Sequence, residues 1–225
     1  MKQLLLDIQP APIPTLENFC VGSNAELVKA LRTLIENHEG QRSLTLWGEA
    51  GSGKSHLLRA VTSLAAERGI GAIYLDAPST EAINPLEHDL VALDNVQNLD
   101  DNTQIALFNL FNRCREQGKT LITAVPVAPA QLNLRDDLRT RLAWGLVYQV
   151  VSLSDAEKSL ALNKHAQERG MKLPEDVVEY CLRHLRRDLP TLMATLDALD
   201  EWSLTAKKPV TVAMARQLIQ MPLEL

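Results

Sequence analysis

The sequence predicts an α/β protein, a parallel five-stranded sheet with flanking helices, followed by a smaller unit built of helices alone. Three observations carry this. Gly48-Glu49-Ala50-Gly51-Ser52-Gly53-Lys54-Ser55 has the spacing G-x-x-x-x-G-K-S, with an apolar run (Leu44–Trp47) before it and helical periodicity (Leu57, Leu58, Val61, Leu64) after it. Short apolar runs and helix-patterned segments then alternate as far as Val151, the pattern of stacked strand–helix–strand units. Beyond Val151 no strand pattern returns.

Taken in order, the first fourteen residues join a short apolar peptide, Gln3-Leu4-Leu5-Leu6-Asp7-Ile8, to a tether stiffened by Pro10, Pro12 and Pro14. The residues alone leave two readings of that peptide open. It is an edge strand or loose end, or it docks in another protein's groove, Gln3 making hydrogen bonds while Leu4, Leu6 and Ile8 fill pockets. Ser23 or Asn24 is placed to cap a helix running to about His38, with Leu27, Val28, Leu31, Leu34 and Ile35 on one face. The helix after the glycine-rich loop ends at Arg68, before Gly69. Ile73–Asp76 reads as a second strand, Ala77–Asp89 as irregular, and Leu90–Asp94 as a buried parallel strand ending in a carboxylate. A helix follows over 102–117, then a strand at Leu121–Ala124 with the polar Thr123 near its end, a helix around Asp136–Leu142, and a last strand over Leu146–Val151. Ser154-Asp155-Ala156-Glu157 is a capping box, and three further amphipathic helices follow at 174–185, 190–206 and 211–220. The expected divisions are 1–14, 15–152 and 153–225.

The loop names its ligand by chemistry. Glycines let successive backbone N–H groups turn toward phosphate oxygens, and the helix start adds partial positive charge. Lys54 is spaced to reach β- and γ-phosphates, and the Ser55 hydroxyl to bind Mg²⁺. Asp94, at the tip of a buried strand, is the second Mg²⁺-directed group. Many proteins of this architecture place an acid immediately afterwards to polarise the attacking water. Here that residue is Asn95, and an amide cannot act as a general base, so intrinsic hydrolysis is expected to be weak.

Bulk properties narrow the class. With 225 residues, 46% of them hydrophobic, the chain has enough for a full core and a smaller second one. A net charge of −5 argues against a surface that coats nucleic acid. Cys20, Cys114 and Cys181 have no C-x-x-C pairing, and the five histidines show no ligand spacing and are expected on surfaces. Neither a signal peptide nor a run of about 18 apolar residues occurs, so no membrane association and a cytoplasmic location are expected.

The loop, Asp94 and the helical C-terminal unit together resemble the AAA+ ATPases. Gly48–Ser55 continued by His56-Leu57 is similar to the loop of the DnaA family of replication initiators, and Thr15-Leu16-Glu17-Asn18-Phe19 to the segment ahead of their ATPase domain. Thr140-Arg141-Leu142-Ala143-Trp144-Gly145-Leu146 resembles the family's S-R-F-x-W-G-L box, with Arg141 in the arginine-finger position. The residues after the helical unit leave no room for an initiator's helix-turn-helix domain. The segment between the second strand and Asp94 is also short for the helices with which initiators engage single-stranded DNA. Within the family the chain is therefore similar to the Hda-type regulators, which share the Asp94-Asn95 tip, the Gln131-Leu132-Asn133-Leu134 segment, Leu192–Asp200, and an N-terminal sliding-clamp peptide of the form Q-L-[SD]-L.

The resemblance implies a negative regulator of replication initiation. Gly48, Glu49, Ala50, Gly51, Ser52, Gly53, Lys54, Ser55, His56, Asp94 and Arg187 would hold ADP or ATP, with Mg²⁺ on Ser55 and Asp94. Thr123 would be a sensor. Gln3, Leu4, Leu6 and Ile8 would dock on the β sliding clamp, so that DNA is reached only through the clamp. Arg141 would act in trans on ATP held by the initiator DnaA, and a homodimer stays open. Two positions depart from the pattern: Pro190 stands where the family's lid carries a nucleotide-sensing arginine, and Leu5 where the clamp peptide usually has Ser or Asp. Two rivals remain: a self-sufficient AAA+ ATPase such as a helicase loader, and a nucleic-acid module resting on Arg183, His184, Arg186 and Arg187.

Overall fold

The structure, a computed structural model, describes residues 13–37, 40–83, 88–185 and 189–220. These fall into two compact units, 13–152 and the residues from Leu153 onward. The first unit runs α1 (Ala25–Glu36), β1 (Ser43–Trp47), α2 (Lys54–Glu67), β2 (Ala72–Asp76), α3 (Thr80–Ile83), β3 (Leu90–Asp94), α4 (Asp101–Glu116), β4 (Thr120–Val125), α5 (Asp136–Leu142) and β5 (Leu146–Gln149). Its five strands are all parallel, in the order β2-β3-β4-β1-β5. Every residue of β3 and β4 is buried, whereas the edge strands β2 and β5 are only half-buried. That is why the central strands read as unbroken apolar runs.

Alternation along the strands builds two cores. Leu44, Leu46, Leu90, Ala92, Ile122 and Ala124 pack with Leu27, Leu31 and Leu34 of α1 and Leu57, Leu58 and Val61 of α2. On the opposite face Val91, Leu93, Leu121 and Val125 pack with Leu107, Leu110 and Phe111 of α4 and Leu138 and Leu142 of α5. Helix α4 starts where Asp100 accepts a hydrogen bond from the Thr103 N–H at 2.7 Å.

Three local expectations are corrected. The stretch from Ala77 to Asp89 contains the helical turn α3, because the fully buried Ile83 draws that turn into the core beside α4. Asn24 occupies the cap position of α1 without capping it. Its side chain instead donates to the Val151 carbonyl (2.9 Å) and accepts from the Val151 N–H (2.8 Å). Sheet pairing of β5 accordingly stops at Gln149, and Val151 is held by an amide rather than by a neighbouring strand. His56 is half-buried, its Nε2 lying 2.9 Å from the Thr15 carbonyl, so it secures the approach segment and is not a surface histidine.

The second unit comprises α6 (Asp155–Glu168), α7 (Glu175–His184), α8 (Leu189–Ala206) and α9 (Val212–Gln220). The capping box at its start is formed: the Ser154 hydroxyl accepts from the Glu157 N–H, and the Glu157 carboxylate accepts from the Ser154 N–H. Leu162, Val177, Val178, Cys181, Leu192, Leu196 and Leu199 make its core. Pro190 sits in the first turn of α8, where its missing N–H has no helical partner to lose. His165 Nε2 lies 2.7 Å from Asp197 Oδ1, which Arg169 also approaches at 3.1 Å. Among the described residues no helix is long and apolar enough to cross a membrane.

Candidate functional site: the phosphate loop and the arginine corner

The loop between β1 and α2 is pinned at its root. The Gly48 N–H donates to the Val125 carbonyl at the end of β4 (3.3 Å), and the Val150 N–H donates to the Trp47 carbonyl (2.7 Å). A Cβ at Gly48 would lie 2.5 Å from the Val150 carbonyl oxygen. At Gly53, whose φ is +102°, it would lie 2.7 Å from the Phe19 ring. Both glycines are therefore required by close approach as well as by backbone freedom. Among the described residues, no hydrogen bond takes up the N–H groups of Gly51, Gly53, Lys54 or Ser55. These donors gather at the start of the fourteen-residue α2, the arrangement that binds anions at helix N-termini. Glu49 and Ala50 are exposed on the loop, and the buried Ser52 hydroxyl has no hydrogen-bond partner among the described residues.

Lys54 Nζ donates to the carbonyls of Gly48 (2.6 Å) and Glu49 (2.8 Å), so the ammonium lies across the loop. Burial lowers its pKa, and the Asp94 carboxylate opposes that shift. Asp94, only 2% exposed, belongs to the α2 face of the sheet. Its Oδ2 accepts from the Tyr74 hydroxyl at 3.0 Å and its Oδ1 from the Asn95 N–H at 2.9 Å. Burial raises the Tyr74 pKa, which keeps that hydroxyl a donor. The Arg59 guanidinium stacks over the Tyr74 ring at 4.8 Å. Beside Asp94, Asn95 Nδ2 donates to Asp76 Oδ1 at 2.6 Å.

These features fit a nucleoside phosphate: unclaimed N–H donors, a glycine cradle that a Cβ would fill, an orphaned hydroxyl and a lysine within the loop. Ser55, exposed in the first turn of α2, and Asp94, with lone pairs left on both oxygens, are oxygen donors of the kind Mg²⁺ takes.

Thr123 stands apart from this group. It is fully buried, its hydroxyl lies 3.0 Å from that of Thr45, and it belongs to the α4 face of the sheet, opposite Asp94. His56 is spent on Thr15 and packs against Phe19 with ring centroids 5.5 Å apart. Gln3, Leu4, Leu6, Ile8 and Arg187 lie outside the described residues.

Arg141 is at the C-terminal end of α5. Its neighbours Arg135 and Arg139 pair with Asp137 and Asp136 at 2.9 and 2.8 Å. Among the described residues no carboxylate lies within ion-pair distance of Arg141. Its guanidinium carbon sits 3.9 Å from the centroid of the Trp144 ring and 5.0 Å from that of Phe108 on α4. Trp144 is 46% exposed. The charge is thus held in place by π faces and not neutralised.

Tyr74, Asp76 and Phe108, which motif spacing did not single out, touch candidate residues or their neighbours: Tyr74 reaches Asp94, Asp76 reaches Asn95, and the Phe108 ring faces Arg141. Asp76 had a signal: like Asp94, it is a carboxylate ending an apolar strand run.

Comparison with known proteins gives two family-model matches. Residues 155–219 match the model described as Hda, lid domain, and residues 83–149 match the bacterial DnaA ATPase domain. Among solved structures, AMPPCP-bound DnaA from Aquifex aeolicus is 25% identical with a TM-score of 0.73, over 84% of this chain and 65% of that one. Domain III of the Thermotoga maritima replication initiation protein DnaA is 23% identical with a TM-score of 0.74, over 93% and 96%. A Thermotoga maritima RuvB shares the fold at 15% identity and a TM-score of 0.68, over 92% and 71%.

Proposed function

We propose, for a chain that belongs to the Hda-type, DnaA-related AAA+ proteins, that it is a negative regulator of replication initiation acting through hydrolysis in its partner. The loop Gly48–Ser55 binds a nucleotide, ADP in the resting state, with Mg²⁺ on Ser55 and Asp94 to neutralise phosphate charge. The peptide Gln3–Ile8 docks on the sliding clamp loaded on DNA. Arg141 then reaches into the ATP site of a DnaA molecule and neutralises charge developing on the transferred γ-phosphoryl group.

The observation that carries this reading is Arg141: exposed aromatic surface beside it, no carboxylate within ion-pair distance among the described residues, and a guanidinium oriented by two rings. An arginine serving only stability would be expected to pair, as Arg135 and Arg139 do. Asn95 in place of an acid supports the same division of labour, because a weak site in this chain is compatible with productive hydrolysis elsewhere. Lys54 moves from the Gly48 and Glu49 carbonyls to phosphate oxygens when nucleotide enters.

The test is hydrolysis of DnaA-bound ATP in the presence of clamp-loaded DNA. Stimulation by the intact chain is expected. Loss is expected on Arg141→Ala, and on Gln3→Ala through failure to bind the clamp. Undiminished stimulation with Arg141→Ala removes the finger assignment. Steady ATP turnover by the purified chain without any partner replaces the regulator with a self-sufficient ATPase.

A further inference from the structure

The acid missing at position 95 has a counterpart one strand away. Strands β2 and β3 pair in parallel with Asp76 opposite Asp94, so two carboxylates end neighbouring strands about 4.8 Å apart. Asp76 is exposed and Asp94 is buried. Asn95 joins the two tips. Its Nδ2 donates to Asp76 Oδ1 at 2.6 Å, and its Oδ1 accepts from Gln97 Nε2 at 3.2 Å. The amide is held from both ends, with its N–H aimed at the carboxylate.

The backbone is strained at the same place. Asn95 and Ala77, the residues that follow Asp94 and Asp76, both have positive φ, +51° and +40°. Among the described residues, Lys207 in the helical unit is the other non-glycine residue with positive φ. A left-handed alanine costs on the order of 1–2 kcal/mol. Such strain persists where the surroundings over-determine it, and it gathers at functional sites. The Ala77 N–H donates to the Asp94 carbonyl at 3.1 Å, so the strained turn also ties the β2 tip to the β3 tip.

We infer that Asp76 is the water-orienting carboxylate of this chain's own nucleotide site, and that Asn95 restrains it. This rests on the nucleotide reading of Gly48–Ser55. A carboxylate at the β2 tip, once released, accepts a hydrogen bond from the attacking water and takes one of its protons. The water oxygen bonds to the γ-phosphorus while the bridging P–O bond to the β-phosphate breaks, giving ADP and inorganic phosphate. With Asn95 bound to Oδ1, the carboxylate is turned along the strand tips and toward the amide instead. Asn95 is thus a positioning residue, and slow intrinsic hydrolysis is a restrained property of the site.

The experiment is single-turnover hydrolysis of ATP bound to the full-length protein, without DnaA or clamp, alongside ATP affinity from a fluorescent analogue. Asn95→Gly suits the left-handed backbone and frees Asp76, and it is expected to raise the rate at least tenfold. Asp76→Asn is expected to fall below the wild-type rate. The double variant is expected to match Asp76→Asn, and Asp76→Glu with Asn95→Gly to recover part of the gain. All should bind ATP within about threefold of wild type; a positioned base contributes roughly 10²–10⁴ in rate, enough to resolve these steps. No acceleration in Asn95→Gly, or acceleration that survives Asp76→Asn, overturns the inference. So does a rate that changes only in step with affinity. Failure of the wild-type chain to bind any adenine nucleotide instead sinks the loop reading on which it rests.

Discussion

The phosphate loop and the arginine corner lie in one α/β unit and are built by opposite means. The loop is made of backbone: glycines chosen because a Cβ would strike Val150 or Phe19, N–H groups at a helix start, and a lysine lying across its own carbonyls. The corner is made of side chains at the surface, a guanidinium stacked on Trp144 and facing Phe108. A backbone site is fixed by sequence spacing and by the strands beneath it. A stacked corner depends on which side chains meet from α4 and α5, which are far apart in sequence. The difference predicts that damage to the loop weakens nucleotide binding by this chain, while damage to the corner spares binding and removes only the proposed action on DnaA.

The sharpest way to break that comparison is Arg141→Ala. Stimulation of partner ATP hydrolysis should fall by about 10³-fold or more, with this chain's nucleotide affinity unchanged by calorimetry. Arg141→Lys should be nearly as poor, since an ammonium does not present the planar fork. Next is Lys54→Ala, which removes charge-assisted hydrogen bonds of about 1.5–3 kcal/mol and should weaken nucleotide binding roughly 10- to 100-fold. A smaller effect is expected from Trp144→Leu. Losing a stacked face at an exposed site, about 0.5–1 kcal/mol, should cut stimulation about two- to fivefold, with partial recovery in Trp144→Phe. Equal loss of nucleotide binding in the Trp144 variants would erase the distinction between the two sites.

The smallest effect concerns two buried thiols, one in each unit. Burial pushes the Cys114 thiol, on α4, and the Cys181 thiol up to about 11. A folded-state value above the ordinary one, about 8.5, stabilises the fold at lower pH, and that contribution is lost as pH rises through about 11. Urea unfolding should therefore show stability falling between about pH 8.5 and 11, with a shallower fall in Cys114→Ala.

How much was legible in the sequence follows the same division. Gly48–Ser55, Asp94 and all five strands could be read because spacing and unbroken apolar runs are local properties. The capping box at Ser154 was equally local and formed as expected. Asn24 was misread because a cap and a tie to residue 151 present the same side chain; only the closed fold decides between them. Thr123 was placed near its strand's end, but its parity in the strand sends it to the α4 face with Thr45, and parity matters only once the register is known. Tyr74 reaches Asp94 from a neighbouring strand, and no linear pattern marks that contact.

The rooting of Gly48 has a consequence for biosynthesis. Strand β1, at 43–47, is central, yet both its neighbours, β4 at 120–125 and β5 at 146–149, leave the ribosome much later. At ordinary elongation rates the interval is on the order of ten seconds. Until Val125 and Val150 arrive, the glycine segment has its sequence but not its curvature, and the nascent chain offers no phosphate cradle. A ligand of that cradle engages only the completed α/β unit and stabilises it by mass action, by about 2.7 kcal/mol at a hundredfold excess over its dissociation constant. A chain ended before Val150 would lack the bond from Val150 to Trp47 that closes the root of the cradle.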